Sequence, residues 1–312
     1  MSKTVALALG SGGARGYAHI GVIQALEARG YEIINVSGCS MGAIVGGFYA
    51  AGKLDQYTEW VSKLGYLDVL RMLDLNILSG GAIKLDKVYA TIEDMLGNCQ
   101  IEDLSLPFTA VATDLQNKKE IWFQNGPLVT AMRASAAIPT ILAPVVSNGR
   151  TLVDGAVLNP VPIAPCVSAH AQYIIAVDLN ADVPLPAKQV AEGADAEEEA
   201  ENAKNVWLDA VVNKASEWFG KKDSEEARKE ADSKLGKIEI MSRMFEVMQS
   251  SLGRFKIATY PPDLLIRIPS ESCDMYEFYR AEEMIQLGRE LADQALDAFE
   301  QNKSSLYGDR LS

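Results

Sequence analysis

The sequence predicts an α/β fold, a mainly parallel central sheet sandwiched by helices, with a helical, partly disordered insertion at about residues 184–255. Three observations carry this. Short, nearly continuous apolar runs alternate with helix-periodic segments, the pattern of strands covered on both faces. The first two runs end in glycine-rich turns that open helices, as parallel strand connections require. After residue 183 prolines and a block of acids replace the apolar runs.

The first strand is Thr4–Leu9, followed by a turn at Gly10–Gly16 and a helix at Ala18–Arg29 with apolar Ile20, Val22, Ile23 and Leu26. Ile33–Val36 is the second strand. It runs into Gly38-Cys39-Ser40-Met41-Gly42 and then a small-residue helix, Ala43–Ala51. Phe108–Thr113 and Glu120–Phe123 read as further strands, Leu152-Val153 ends at Asp154-Gly155, and Tyr173–Val177 ends at Asp178. Leu264–Ile268 is a late strand and Tyr276–Asn302 a long amphipathic helix. In the insertion, residues 191–201 carry six acids and no base, a block that stays solvated. Val206–Phe219 repeats Trp207, Val211, Ala215 and Trp218 near helical spacing, as a helix packing that stripe or as a lid or interfacial helix. Ile238–Leu252 is a second, methionine-rich helix. The chain reads as one domain over 1–312, its core about 4–180 plus 256–302.

A net charge of −13 argues against nucleic acid as a partner, since phosphate binding needs clustered Lys and Arg. It offers no electrostatic anchor to a bilayer, so membrane contact would be local, apolar and transient. A strand-like run from Thr4 leads to the expectation that no signal peptide opens the chain, and no apolar stretch approaches the ~20 residues that span a bilayer. The four cysteines (Cys39, Cys99, Cys166, Cys273) form no CxxC pair, so neither a zinc site nor a disulfide framework is expected. A cytoplasmic protein, peripheral to the membrane at most, is the expectation.

The G-x-S-x-G turn at Gly38–Gly42 stands between a strand and a helix, the context in which a serine is lifted over the sheet edge as a nucleophile. Glycines at 38 and 42 keep side chains out of that tight turn. The first turn, Gly10-Ser11-Gly12-Gly13-Ala14-Arg15-Gly16, could hold a dinucleotide pyrophosphate, but the second strand ends in Val36-Ser37-Gly38 without the ribose-binding acid. Its other use is an oxyanion hole, with the N–H groups of Gly12 and Gly13 beside Ser40. Neither histidine is well placed as a base. His19 follows the glycine turn and packs locally, and His170 precedes the Tyr173 strand, at the end away from the ligand edge. A carboxylate remains, from Asp114, Asp154 or Asp178, each also a plausible helix cap. Asp154 is favoured by the uncrowded Gly155-Ala156 turn after it.

Four blocks resemble the patatin-like phospholipases, and within them bacterial proteins similar to the neuropathy target esterase catalytic domain. They are Leu9–Gly16, Gly38–Gly42, Arg133-Ala134-Ser135-Ala136-Ala137-Ile138-Pro139, and Asp154-Gly155-Ala156. The resemblance implies the family's three-layer fold and a Ser-Asp dyad, with Ser40 as nucleophile and Asp154 as general base. It further implies an oxyanion hole in the glycine loop, Arg15 facing lipid phosphate, and no metal or other cofactor. Ser11 departs from it, standing where many members have glycine. The implied substrate is a phospholipid, lysophospholipid or other fatty-acyl ester, with contact to a membrane surface or a second subunit left open. An acyltransferase using the same acyl-enzyme and a catalytically silent binding protein are the alternatives.

Overall fold

This computed structural model describes residues 3–72, 85–139, 142–186 and 224–308. β1 (Lys3–Leu9), β2 (Tyr31–Cys39), β3 (Phe108–Asp114), β7 (Tyr173–Ala181) and β8 (Leu264–Pro269) pair in parallel in the order β3-β2-β1-β7-β8. β4 (Lys119–Phe123) and β6 (Arg150–Asp154) join β3 antiparallel, and β5 (Val145–Ser147) pairs with β6. The expected apolar runs are therefore strands of a mixed, mainly parallel sheet. β2 is longer than its apolar stretch because its ladder to β1 continues through Ser37 and Gly38, which carry no apolar signal.

Helices cover both faces. They are α1 (Ala18–Ala28), α2 (Met41–Ala50), α3 (Leu54–Val61), α4 (Tyr66–Met72), α5 (Asp86–Leu96), α6 (Leu128–Ser135), α7 (Ser224–Thr259) and α8 (Ala281–Gly308). Alternation along β1 sorts the two faces: Val5, Leu7 and Leu9 enter the large core with Ile20, Phe48 and Leu287. Ala6 and Ala8, with Ala176 of β7, meet Val161, Ile163 and Cys166, and Ile257 of α7 packs behind them. Small side chains on that face let the irregular 161–169 segment lie close to the sheet. The last helix starts at Ala281 instead of Tyr276, because Glu277 accepts from Asp274 N–H (2.9 Å) and from Arg280 (2.7 Å), which holds the preceding residues in a turn. The Ile238–Leu252 helix lies within α7. The acidic run and the Val206–Phe219 helix fall outside the described residues. Among the described residues no helix is long and apolar enough to cross a membrane.

Two features of this topology position the site. The chain lays β2 and β3 on one side of β1 and returns to lay β7 and β8 on the other, so connections diverge at the carboxyl end of β1 and open a crevice there. The glycine turn fills it. The second feature is β3, whose residues 110–114 give one edge to β4. The other edge is divided: β2 takes Phe108–Val111 and β6 takes Ala112–Asp114. Because β2 runs with β3 and β6 against it, the ends of β2 and β6 meet head to head, Cys39 opposite Val111 and Asp154 opposite Ala112. Asp154 therefore reaches the site from the opposite direction to Cys39.

Candidate active site

Ser40 sits between β2 and α2 with φ 55° and ψ −124°, a backbone conformation that glycine favours and that costs a serine ~1–3 kcal/mol. Its surroundings hold it there. The Ser40 N–H donates to Ser135 Oγ at 2.9 Å, and that hydroxyl donates to Val111 O at 2.6 Å. The Ser40 carbonyl accepts from Ala43 N–H at 2.9 Å, which starts α2. A Cβ on Gly38 would lie 2.2 Å from Gly42 O, and one on Gly42 would lie 2.1 Å from Leu9 O, so both positions flanking the serine require glycine. The Gly42 contact also brings the first turn of α2 against the end of β1.

Ser40 Oγ donates to Asp154 Oδ2 at 2.7 Å, and both residues are buried. The other carboxylate oxygen accepts from Ala156 N–H at 2.8 Å and from the Cys39 thiol at 3.8 Å, while Asp154 N–H donates to Ala137 O at 2.9 Å. Burial raises the Asp154 carboxyl to about 6, against the opposing pull of the hydrogen bonds from Ser40, Ala156 and Cys39. Gly155 allows the close approach of β6: a Cβ there would lie 2.2 Å from Val111 O and 2.9 Å from Cys39 Sγ. Beside the pair, Leu85, Asp86, Tyr89, Arg133, Ala137 and Leu142 line a cleft of about 250 Å³.

In the glycine turn, the N–H groups of Gly10, Ser11 and Ala14 donate to Val177 O (3.1 Å), Pro160 O (2.8 Å) and Met275 O (3.0 Å). Those of Gly12 and Gly13 have no acceptor among the described residues. Gly13 has φ +58°, and a Cβ on it would overlap Met275. The turn touches the serine elbow at a second point, since a Cβ on Gly16 would lie 2.3 Å from Met41 Cβ. Among the described residues, two donors of the turn that meets α2 at Gly16 and Met41 are thus left without an acceptor.

The other expectations separate clearly. Asp114 caps its own turn, accepting from the N–H groups of Gln116 and Asn117 at 3.0 Å, and Asp178 accepts from Asn180 N–H at 2.9 Å. His19 is fully buried with Nε2 2.8 Å from Gly10 O, and burial pushes its pKa down to about 4, so it is a neutral donor beneath the glycine turn. His170 is exposed ahead of β7, at the end of the sheet away from Ser40. Arg15 departs from the expected outward orientation. It is 2% exposed, and its terminal nitrogens donate to Ser270 O (2.7 Å), Cys273 O (2.8 Å), Asn180 Oδ1 (3.2 Å) and Glu246 Oε1 (3.1 Å). The place where a phosphate was expected is taken by the protein's own acceptors. Ser135 had no role assigned from sequence, although its block was singled out; a buried serine ending a helix carries no signal of what it will hold.

The model of the patatin-like phospholipase family matches residues 7–167, a span that includes the glycine turn, Ser40 and Asp154. An uncharacterized NTE family protein of Mycobacterium tuberculosis is 41% identical over 96% of this chain and 93% of its own length. A lysophospholipase NTE1 of Debaryomyces hansenii is 30% identical over 57% of this chain and 12% of its own. The neuropathy target esterase of Drosophila melanogaster is also 30% identical, over 57% of this chain and 13% of its own.

Proposed function

Because this chain belongs to the patatin-like phospholipase family, among its NTE members, we propose that it is a serine lipid acyl hydrolase acting through a Ser40–Asp154 dyad and an acyl-enzyme. Membership of the family itself suggests lipid hydrolysis. The observation that carries the finer reading is the 2.7 Å hydrogen bond from Ser40 Oγ to Asp154 Oδ2, made between two buried residues.

In the first step Ser40 Oγ attacks the ester carbonyl as its proton passes to Asp154 Oδ2. The carbonyl oxygen, now an anion, takes the N–H groups of Gly12 and Gly13, each such donor being worth about 3 kcal/mol to the transition state. The positive end of the α2 dipole adds to this. The alcohol or lysolipid leaves with the proton from Asp154. In the second step Asp154 deprotonates a water that attacks the acyl-serine, and the fatty acid and free Ser40 are released. A carboxyl near 6 suits a general base, being ionised at neutral pH yet more basic than an exposed aspartate. Ser135 keeps the Ser40 N–H occupied, so the reading assigns oxyanion binding to the glycine turn and not to the nucleophile's own amide.

A fluorophosphonate probe, followed by peptide mapping, is expected to label Ser40. Turnover of a panel of phospholipid, lysophospholipid and short-chain esters is expected to fall by roughly 10³-fold or more in Ser40→Ala and in Asp154→Asn. Full activity in either variant removes that residue from the mechanism, and no ester turnover by the native chain removes the hydrolase reading.

A further inference from the structure

The peptide units of the glycine turn are held in different ways. The unit between Gly10 and Ser11 is fixed at both ends: its carbonyl accepts from His19 Nε2 at 2.8 Å, and its N–H donates to Pro160 O at 2.8 Å. The unit between Gly13 and Ala14 is fixed through its N–H, which donates to Met275 O at 3.0 Å. Between Ser11 and Gly12 the carbonyl alone is held. It accepts from Asn180 Nδ2 at 2.8 Å, while the Gly12 N–H has no acceptor among the described residues. The C=O and N–H bonds of a trans peptide point in opposite directions. Where Asn180 draws the Ser11 carbonyl to itself, it therefore aims the Gly12 N–H the other way.

The packing of the turn explains why such a hold is needed. A Cβ on Gly12 would lie 2.6 Å from Leu179 Cβ, so contact with β7 requires glycine there. Glycine resists rotation of its neighbouring peptide less than any other residue. A flipped unit would present the Ser11 carbonyl oxygen where the Gly12 N–H had been. Asn180, the next residue of β7, is buried, and its own amide is oriented. Its Oδ1 accepts from Arg15 Nη2 at 3.2 Å, which leaves Nδ2 to face Ser11, and its N–H donates to Asp178 Oδ1 at 2.9 Å. One strand thus imposes the glycine and supplies the group that restrains it. We propose that Asn180 is a positioning residue of the oxyanion hole: by holding the Ser11 carbonyl it sets the direction in which the Gly12 N–H meets the substrate oxyanion. This rests on the reading above, in which the glycine turn binds that oxyanion.

The test uses the full chain and a short-chain ester dissolved as monomers. Turnover is expressed per Ser40 that a fluorophosphonate labels at completion, so unfolded molecules do not count. Asn180→Asp keeps an acceptor for Arg15 but sets an oxygen against the Ser11 carbonyl, whereas Asn180→Ala removes the hold without opposing it. The kcat value is expected to fall by about 10–100-fold in Asn180→Asp and by less in Asn180→Ala, within the loss that deleting an oxyanion donor produces. KM and the rising limb of the pH profile are expected to stay in place, because neither ground-state binding nor Asp154 is altered. Ser40 adds to an alkyl trifluoromethyl ketone so that the ketone oxygen becomes the anion in the hole. Affinity for that inhibitor is expected to fall by the same factor as kcat/KM. Should Asn180→Asp fail to fold, Asn180→Ala carries the comparison. Unchanged kcat per labelled site in a folded variant, a change confined to KM, or undiminished affinity for the ketone overturns the proposal. A native chain that is neither labelled at Ser40 nor active on the ester sinks the hydrolase reading and the proposal with it; an active native chain beside an equally active variant sinks the proposal alone.

Discussion

Asp154 holds its proton more tightly in the folded chain than in the unfolded one, at about 6 against an ordinary 3.8, because burial disfavours the charge. Two effects of opposite direction follow. As the base, Asp154 must be ionised, so kcat/KM for a soluble ester is expected to rise with pH along a limb centred near 6; a flat profile from pH 5 to 8 would exclude it as the base. For stability the sign reverses. Between about pH 4 and 6 the folded state binds more protons than the unfolded one, so this carboxyl's contribution is full below about 4 and lost as pH rises through about 6. The ionised form is then a burden on the order of 3 kcal/mol at neutral pH. Asp154→Asn keeps an acceptor for the Ala156 N–H and removes the charge. It is expected to melt several degrees above the native chain at pH 7.5, with the gap closing at pH 4, by calorimetry at the two values.

At the scale of elements, the site depends on β2 and β6 ending against each other along β3. Gly155 is where that junction is tightest, and the atoms a new methyl would meet are the Val111 carbonyl and Cys39 Sγ, held by the ladder itself. Gly155→Ala is expected to destabilise the fold by ~2–4 kcal/mol in urea unfolding and to reduce turnover in the molecules that stay folded; unchanged values of both would contradict the junction. This is also where reading the sequence stopped short. Apolar runs located the strands, and the strand–turn–helix context located Ser40, because both signals are local. Three aspartates closed strands, and nothing in their spacing showed that the Asp154 strand runs antiparallel while Asp114 and Asp178 fold back on their own turns. β5 has only three residues, Val145-Val146-Ser147, too few to show a strand period, so the hairpin that delivers Asp154 was not legible.

At the scale of the molecule, Arg15 ties together parts of the chain that sequence keeps far apart. Its partners are 165 to 258 positions away: Asn180 at the end of β7, Glu246 on α7, and the carbonyls of Ser270 and Cys273 after β8. A basic residue beside a glycine turn reads equally as a ligand contact or a strut, and only these distant partners decide. Arg15→Lys keeps the charge but loses the planar fork, leaving buried acceptors unpaired. A loss of ~2–4 kcal/mol is expected, seen as a lowered melting temperature, with KM for a neutral short-chain ester unchanged; a raised KM at native stability would return Arg15 to the substrate. The divided edge of β3 has one more consequence. It acts as a gauge: the gap between hydroxyl and carboxyl is measured in rungs of a backbone ladder, and a one-residue slip of β6 would turn Asp154 to the opposite face. Such a gauge has no intermediate settings. A core mutation that loosens packing therefore changes how many molecules are competent, and leaves the speed of each competent molecule as it was.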